Sequence, residues 1–319
     1  MNDMNTTQHK KILISAPPFV NQQEKFQQIL SEFGFDVHWA ESQQQLSENQ
    51  LLKLLPEIDG WILGDDPCTR LILAAGSSGR LKAVVKWGVG TDNIDFNAIK
   101  DLNLAFSNTP NAFGREVADL AMAYLINLSR HVLTVDSNVR EGMWIKPAGF
   151  SLADKNIGLV GYGDIGKNIS KRLQAADAKV SVYEIDSKRT NGVENISIYD
   201  WPEAVGDLDA IILACALTTE NSEMINKEIL KKTKKGLLII NVSRGGLICE
   251  EDLIDSLNSG RLGGVALDVY QIEPLPVSSA LRECKNVIFG THNASNTLEA
   301  VMRTSQTALE TMRSFLNPA

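Results

Sequence analysis

The amino-acid sequence predicts an α/β protein with two parallel-sheet domains. Two observations lead to this prediction: short apolar runs alternate with longer segments of helical period, and the alternating series restarts after a break near residue 108. Strands that alternate with helices favour a parallel, doubly wound sheet of the Rossmann-like or flavodoxin-like kind. A length of 319 residues agrees with two domains, because a domain commonly takes about 150 residues.

The first series contains five predicted strands joined by four predicted helices. The strands are expected at 11–16, 36–40, 60–63, 81–86 and 104–107. The helices are expected at 22–33, 47–55, 69–75 and 95–101. Thr109 and Pro110 then interrupt the pattern, since proline lacks an N–H donor and disfavours helical backbone before it.

A long helix is predicted after the break, over 114–141, with an apolar face wide enough to suggest burial against a second subunit. The second series follows it, with a helix at 164–176 and a closing helix at 297–316. Its strands are expected at 156–160, 179–183, 210–215, 237–242, 265–269 and 287–290.

Composition and charge exclude several classes of protein. The net charge of −8 argues against a nucleic-acid partner, because phosphate binding needs a basic face. No uncharged stretch approaches the ~20 residues of a membrane span, and the polar start of the chain lacks the features of a signal peptide. We therefore expect a cytoplasmic protein with reduced cysteines. No histidines have metal-ligand spacing, so no metal is expected.

A glycine-rich loop is the strongest local motif. Gly161, Gly163 and Gly166 form G-x-G-x-x-G between a predicted strand and a predicted helix. The first glycine permits a tight turn, the second lets a pyrophosphate approach the backbone, and the third allows close packing of the helix. Glu184 ends the next strand, where an acid binds ribose hydroxyls and repels a 2′-phosphate, so NAD is favoured as cofactor. The following Lys188 and Arg189 leave NADP open.

Four further segments carry a family resemblance: 88–95, 241–246, 266–275 and 291–295. Their joint order resembles the NAD-dependent D-isomer-specific 2-hydroxyacid dehydrogenases, the family that includes D-3-phosphoglycerate dehydrogenase. The resemblance implies a cofactor domain inserted in a substrate domain. The substrate domain would comprise 1–107 and 291–319, and the NAD-binding domain 108–290. It also implies a homodimer formed through the long helix.

The resemblance implies three catalytic residues. His292 would exchange a proton with the substrate oxygen, since an unperturbed imidazole has a pKa near ~6.5. Glu273 would pair with His292 and stabilise the imidazolium. Arg244 would hold the substrate carboxylate and the polarised carbonyl with its planar guanidinium. The backbone of Gly88, Val89 and Gly90 would bind the same carboxylate.

Further residues match the cofactor contacts of the family. Asp268 would bond the nicotinamide carboxamide, and Val89 would lie beside the nicotinamide ring. Cys215 is interpreted as a buried thiol near the adenosine rather than a nucleophile. The full implied set is Val89, Gly161, Gly163, Asp164, Ile165, Gly166, Glu184, Cys215, Ala216, Val242, Ser243, Arg244, Asp268, His292, Asn293, Ala294 and Ser295.

One departure from the family bears on the substrate. Phosphoglycerate members often carry an arginine in the loop after the third strand, whereas this loop contains Asp65 and Asp66. Two carboxylates would repel a phosphate dianion unless a cation intervenes, which weakens the 3-phosphoglycerate interpretation. The chain also stops after the returning helix, so feedback by serine through an appended domain is not expected.

Several functions remain open from the sequence. The first is a dehydrogenase of a small D-2-hydroxy acid, equivalently a 2-keto-acid reductase, with phosphoglycerate dehydrogenase as a narrower version. The second is an NAD-sensing corepressor of the same fold, which can retain Arg244, Glu273 and His292. A formate dehydrogenase is disfavoured, because that enzyme has glutamine where this chain has Glu273 before Pro274.

Overall fold

The structure is a computed structural model that describes residues 9–42 and 44–317. These residues group into two compact units. A discontinuous unit lies within 1–112 and 296–319, and an inserted unit spans 113–295. The sequence placed the two junctions at 107/108 and 290/291. The difference at the second junction matters: the structure assigns His292 to the inserted unit, whereas the sequence-based boundary assigned it to the discontinuous unit.

The discontinuous unit contains a five-stranded parallel sheet in the order β2-β1-β3-β4-β5. Its strands are β1 Lys10–Ile14, β2 Phe35–Trp39, β3 Gly60–Leu63, β4 Ala83–Lys86 and β5 Ala105–Asn108. Its first helices are α1 Pro17–Val20, α2 Gln27–Phe33, α3 Glu48–Leu54, α4 Arg70–Ser78 and α5 Phe96–Asp101. The predicted helix at 22–33 is split, because a 3-10 turn occupies Gln23–Phe26 before α2.

Local chemistry explains several boundaries in this unit. Gly34, with φ of 69°, ends α2 in the left-handed conformation that favours glycine. Ser47 begins α3 with a capping box, since its side chain accepts from the N–H of Gln50 and the Gln50 side chain accepts in return. Thr69 and Asp95 cap α4 and α5 with side-chain oxygens that accept from the N–H groups of Ile72 and Ala98.

The inserted unit contains a seven-stranded parallel sheet in the order β12-β11-β10-β9-β6-β7-β8. Its strands are β6 Asn156–Val160, β7 Lys179–Tyr183, β8 Ile196–Tyr199, β9 Ala210–Leu213, β10 Leu237–Asn241, β11 Leu262–Leu267 and β12 Val287–Phe289. Its helices are α6 Gly114–Arg130, α7 Val132–Arg140, α8 Asp164–Ala175, α9 Lys227–Lys232 and α10 Glu250–Asn258.

The structure corrects the long predicted helix at 114–141. His131 adopts a left-handed backbone with φ of 54°, which ends α6 and starts α7 in a new direction. One face of α6 is buried, whereas α7 buries none of its residues. The edge strand β8 was not predicted, because its Ser197 and Ile198 are exposed and it lacks the apolar run of a central strand.

The last helix, α11 Leu298–Leu316, returns to the discontinuous unit. A β-carbon at Gly60 would lie 2.4 Å from Sδ of Met312, so the helix packs directly on β3. The indole N–H of Trp87 donates to Oγ of Ser305 at 2.9 Å. Across residues 9–42 and 44–317, no helix combines the length and apolar character needed to cross a bilayer.

Candidate active site

The glycine loop connects β6 to α8 in the inserted unit. A β-carbon at Gly161 would lie 2.7 Å from Cα of Cys215, and one at Gly166 would lie 2.1 Å from the carbonyl oxygen of Gly161. The nearest atom to a β-carbon at Gly163 is Nη1 of Arg189, at 3.7 Å. Packing therefore requires the first and third glycines, and the second leaves open space beside the helix N-terminus. This cradle fits the pyrophosphate of a dinucleotide.

Glu184 follows β7 and braces the glycine loop from behind. Its side chain is 4% exposed. One carboxylate oxygen accepts from the N–H of Tyr162 at 2.7 Å, and the other accepts from the N–H of Asp186 at 3.0 Å. Nη1 of Arg189 lies 3.5 Å from the same carboxylate. Glu184, the acid that the sequence predicts to bind the ribose hydroxyls, thus also holds the glycine loop in place. The guanidinium of Arg189 lies beside its carboxylate.

Other predicted cofactor contacts lie at neighbouring strand ends. Asp164 begins α8, where a β-carbon at Gly114 would lie 2.2 Å from its carboxylate, so the start of α6 packs against it. Cys215 follows β9, and its carbonyl oxygen accepts from the Ser243 hydroxyl after β10. Because β6, β9 and β10 are adjacent and parallel, these residues share one edge of the sheet. Val242 also follows β10, Ile165 lies in the first turn of α8, and Ala216 follows Cys215.

His292 and Glu273 form the polar pair that the resemblance implied. Nδ1 of His292 lies 2.7 Å from Oε2 of Glu273, with side chains 24% and 22% exposed. The other oxygen of Glu273 accepts from the N–H of Tyr270 at 2.9 Å. The carboxylate is therefore fixed from two sides and orients the imidazole.

Asp268 anchors the loop that carries His292. Its backbone oxygen accepts from the N–H of His292 at 2.6 Å, and its carboxylate accepts from the N–H groups of Asn293 and Ala294 at 3.2 and 2.9 Å. The Tyr124 hydroxyl donates to it at 3.3 Å. These bonds explain why 291–295 joins the inserted unit. The sequence pointed to Asp268 as a nicotinamide ligand and missed this anchoring role and Tyr124.

Arg244 follows β10 on the same edge. A β-carbon at Gly245 would lie 1.9 Å from the carbonyl carbon of Tyr270, so the backbone after Arg244 lies against the segment that leads to Glu273. Nη1 of Arg244 donates to the carbonyl oxygen of Ser243 at 2.8 Å. The strands β10, β11 and β12 are neighbours, and the segments that follow them carry Arg244, Glu273 and His292. Ser295 closes this last segment.

The loop of Gly88, Val89 and Gly90 follows β4 in the discontinuous unit. The N–H of Gly88 donates to Oγ1 of Thr109 at 2.8 Å, so it is engaged within the protein. The carbonyl oxygen of Val89 accepts from Nδ2 of Asn108 at 3.0 Å. Within the described residues, the N–H groups of Val89 and Gly90 have no hydrogen-bond partner. The hydrogen-bonding capacity of these two N–H groups is therefore unused within the described residues.

In the described part of the chain, no group of three His, Cys, Asp or Glu side chains is arranged to hold a metal ion. Burial raises the pKa of Cys215 to about 11, so its thiol is protonated at neutral pH. Acid–base chemistry at His292 is the reaction that the arrangement supports.

Comparison with known proteins places the chain in a family. Residues 122–294 match the model of the D-isomer specific 2-hydroxyacid dehydrogenase, NAD binding domain. A hydroxypyruvate reductase of Thermotoga maritima is 32% identical over 82% of this chain and 85% of its own length. A D-3-phosphoglycerate dehydrogenase of Synechocystis is 33% identical over 85% of this chain and 49% of its own length. The crystal structure of the TT0316 protein from Thermus thermophilus is similar, with a TM-score of 0.83, 26% identity and 96% of each chain covered.

The chain belongs to the D-isomer specific 2-hydroxyacid dehydrogenase family. It is an oxidoreductase with NAD as cofactor, and the predicted fold class of two parallel-sheet α/β domains is confirmed. The two relatives described above are named as a reductase and a dehydrogenase, and neither name favours the corepressor alternative.

Proposed function

We propose that the chain transfers hydride between NAD(H) and a small unphosphorylated 2-keto acid, giving a D-2-hydroxy acid. The observation that carries this proposal is the His292–Glu273 pair at 2.7 Å, held on the same sheet edge as Arg244. An imidazole oriented by a carboxylate can exchange a proton with a substrate oxygen, and a neighbouring guanidinium can bind the substrate's negative charge.

The proton is delivered by His292. Because Glu273 accepts from Nδ1, the proton exchanged with the substrate is carried at Nε2. NADH, when bound, supplies the hydride that this reaction needs. As the carbonyl oxygen gains charge, the imidazolium donates to it. The Glu273 carboxylate stabilises the imidazolium before transfer and keeps the ring in one orientation afterwards.

The substrate carboxylate needs fixed donors. Arg244 is the cation proposed for this role in the inserted unit. In the discontinuous unit, we assign the N–H groups of Val89 and Gly90, because Gly88 already donates to Thr109. Charge-assisted hydrogen bonds of this kind position a carboxylate and favour a substrate with a carboxyl group next to the carbonyl.

The substrate class follows from the loop after β3. That loop, 64–67, carries no arginine of the kind common in phosphoglycerate members; its Asp66 is buried, and its Asp65 pairs with the buried Lys86, so the loop offers no exposed cation. The chain is nearly equally similar to a hydroxypyruvate reductase and to a phosphoglycerate dehydrogenase. The choice between these two substrates therefore depends on the residues of the 64–67 loop. We propose hydroxypyruvate or glyoxylate as the kind of keto acid that is reduced.

The proposal extends to assembly and location. The exposed Val132 and Leu133 on α7 support a homodimer, because apolar side chains on a surface helix become buried when a second subunit packs against them. The net charge of −8 agrees with a small-molecule partner rather than a nucleic acid. A cytoplasmic location remains part of the proposal.

The test follows NADH oxidation at about 340 nm, the absorbance of reduced nicotinamide. The purified chain is offered hydroxypyruvate, glyoxylate, pyruvate and 3-phosphohydroxypyruvate. We expect turnover with an unphosphorylated acid, and we expect His292→Ala to lower kcat about 1,000-fold or more with NADH affinity retained, since proton transfer contributes about that much. His38→Ala, an exposed histidine on β2, is the matched control. Tight NADH binding without turnover would instead favour a cofactor-sensing protein, and activity in His292→Ala would exclude the proton-transfer role.

A further inference from the structure

The side chain of Tyr270 lies between the ends of two neighbouring strands of the inserted unit. Tyr270 comes after β11, and its side chain is buried. Its hydroxyl oxygen lies 2.9 Å from the carbonyl oxygen of Leu267, at the end of β11, and 2.9 Å from the carbonyl oxygen of Gly290, directly after β12. Its ring stacks on the ring of Phe289, with the centroids 6.5 Å apart. One side chain thus joins the two segments that follow β11 and β12.

The Tyr270 hydroxyl has one proton and two carbonyl oxygens within reach, and the other partners of those oxygens decide where the proton is needed. The Leu267 oxygen already accepts from the N–H of Gly290 at 2.7 Å. Within residues 9–42 and 44–317, no other group donates to the Gly290 oxygen. Burial raises the pKa of Tyr270 to about 12, so the hydroxyl keeps its proton at neutral pH. The proton is therefore assigned to the bond with Gly290, two residues before His292.

The backbone of His292 needs support from its neighbours. Its φ is 53°, a left-handed conformation that costs free energy in residues other than glycine. Asp268 supports the chain from His292 onward, because it accepts from the three consecutive N–H groups of 292–294. Gly290 precedes this stretch, and the hydroxyl bond from Tyr270 fixes the chain there. The histidine is thus held from both sides.

The backbone N–H of Tyr270 holds the other member of the pair. It donates to Oε1 of Glu273 at 2.9 Å, and Oε2 of that carboxylate lies 2.7 Å from Nδ1 of His292. The N–H of Tyr270 thus fixes the carboxylate, and its hydroxyl fixes the segment that carries the imidazole. Because both bonds come from one residue, a shift of Tyr270 displaces the two partners together rather than apart.

We propose that Tyr270 is a positioning residue that sets the distance between His292 and Glu273. It acts through these two side chains rather than on the substrate. The hydroxyl bond to Gly290 limits the movement of the His292 segment, so the imidazole stays within hydrogen-bond distance of the carboxylate before and after it gives up its proton. A short, fixed distance strengthens the attraction between an imidazolium and a carboxylate. This inference rests on the proposed function, because the distance matters for turnover only if His292 transfers the proton.

Tyr270→Phe tests the inference, because it removes the hydroxyl and keeps the ring against Phe289. We expect kcat at saturating NADH to fall about 3- to 10-fold, the effect of one hydrogen bond between uncharged groups. KM for NADH should stay unchanged, because the bond lies outside the glycine loop. The matched control is Tyr183→Phe, since Tyr183 is also buried in the inserted unit and its hydroxyl donates to the carbonyl oxygen of Glu203 at 2.7 Å. The control loses the same kind of bond and should keep kcat at saturating NADH.

Glu273→Gln separates positioning from a general loss of stability. If Tyr270 acts by holding His292 to the Glu273 carboxylate, its hydroxyl should matter less once that charge is gone. Adding Tyr270→Phe to Glu273→Gln should therefore lower kcat less than about twofold, since residues that act through one contact are not additive. Equal losses in the two backgrounds would overturn the inference, as would an unchanged kcat in Tyr270→Phe. Unfolding temperature reports whether each variant is folded, and Tyr270→Met serves as a second substitution if the phenylalanine variant is not.

Failure of the proposed function is distinguishable from failure of this inference. If the unsubstituted chain reduces none of the keto acids, the proposed function is lost, and the restraint on His292 is measured by amide hydrogen exchange without substrate. In Tyr270→Phe, the N–H groups of Gly290 and His292 should exchange about 3- to 10-fold faster, while exchange in the glycine loop stays unchanged. Equal exchange rates at Gly290 and His292 in the variant and the unsubstituted chain would show that the hydroxyl does not position this segment.

Discussion

The carboxylate of Glu273 should control the pH range in which the enzyme reduces its substrate. Glu273→Gln keeps the size of the side chain and an oxygen that can accept from the N–H of Tyr270, but it removes the negative charge 2.7 Å from Nδ1 of His292. Reduction needs the protonated imidazole. The rate of reduction is therefore high at low pH and falls as pH rises. In Glu273→Gln the fall should occur at lower pH, because the imidazolium has lost the carboxylate that stabilises it.

The size of the change follows from the geometry. Both side chains are more than three-quarters buried, so solvent screens their interaction only weakly. A hydrogen bond to a charged partner contributes about 1.5–3 kcal/mol, and one pH unit corresponds to about 1.4 kcal/mol. The pH at which reduction falls to half should move down by about one to two units, and kcat/KM above that pH should fall about 10- to 100-fold.

The assay is kcat/KM for the best keto acid, measured across pH with saturating NADH. KM for NADH should change little, because Glu273 lies outside the glycine loop. A merely structural role would lower activity equally at every pH. A pH profile that keeps its midpoint within about 0.3 unit would refute the reasoning, since that shift is only about 0.4 kcal/mol.

Two further predictions concern the inserted unit. Glu184→Ala should lower the ratio of kcat/KM with NAD to kcat/KM with NADP by about tenfold or more. The substitution removes a charge that repels the 2′-phosphate and leaves Arg189 beside Gly163. An unchanged ratio would refute the role of Glu184. Cys215, whose pKa burial raises to about 11, should react with iodoacetamide at about pH 7.5 at least ~10-fold more slowly in the folded chain than in urea, as followed by peptide mapping; equal rates would contradict that environment.

Local patterns in the sequence were enough to predict most of the fold. Short apolar runs predicted eleven of the twelve strands found in residues 9–42 and 44–317, because a buried parallel strand needs apolar side chains on both faces. The glycines at 161 and 166 were predictable for a related reason: the turn brings backbone atoms so close that a β-carbon is excluded there. The helix break at His131 was not predicted, because no local sequence pattern marks a histidine that adopts the left-handed backbone conformation.

The arrangement of the site depended on contacts between distant parts of the chain. A separation of 19 residues says nothing about whether Glu273 and His292 touch; the adjacency of β11 and β12 and the anchoring by Asp268 bring them together. The loop that holds His292 joined the inserted unit for the same reason, which the sequence boundary at 290/291 did not anticipate.

The pair of acids after β3 shows the same division. The sequence by itself determined that two carboxylates stand where related enzymes often have an arginine, because residue identity is local information. Only the tertiary structure decided that Asp66 is turned inward onto Ser15 and that Asp65 forms an ion pair with Lys86. Charge at a site is the sum over residues that folding brings together, and neighbouring strands β3 and β4 supply the acid and the base from separate segments of the chain.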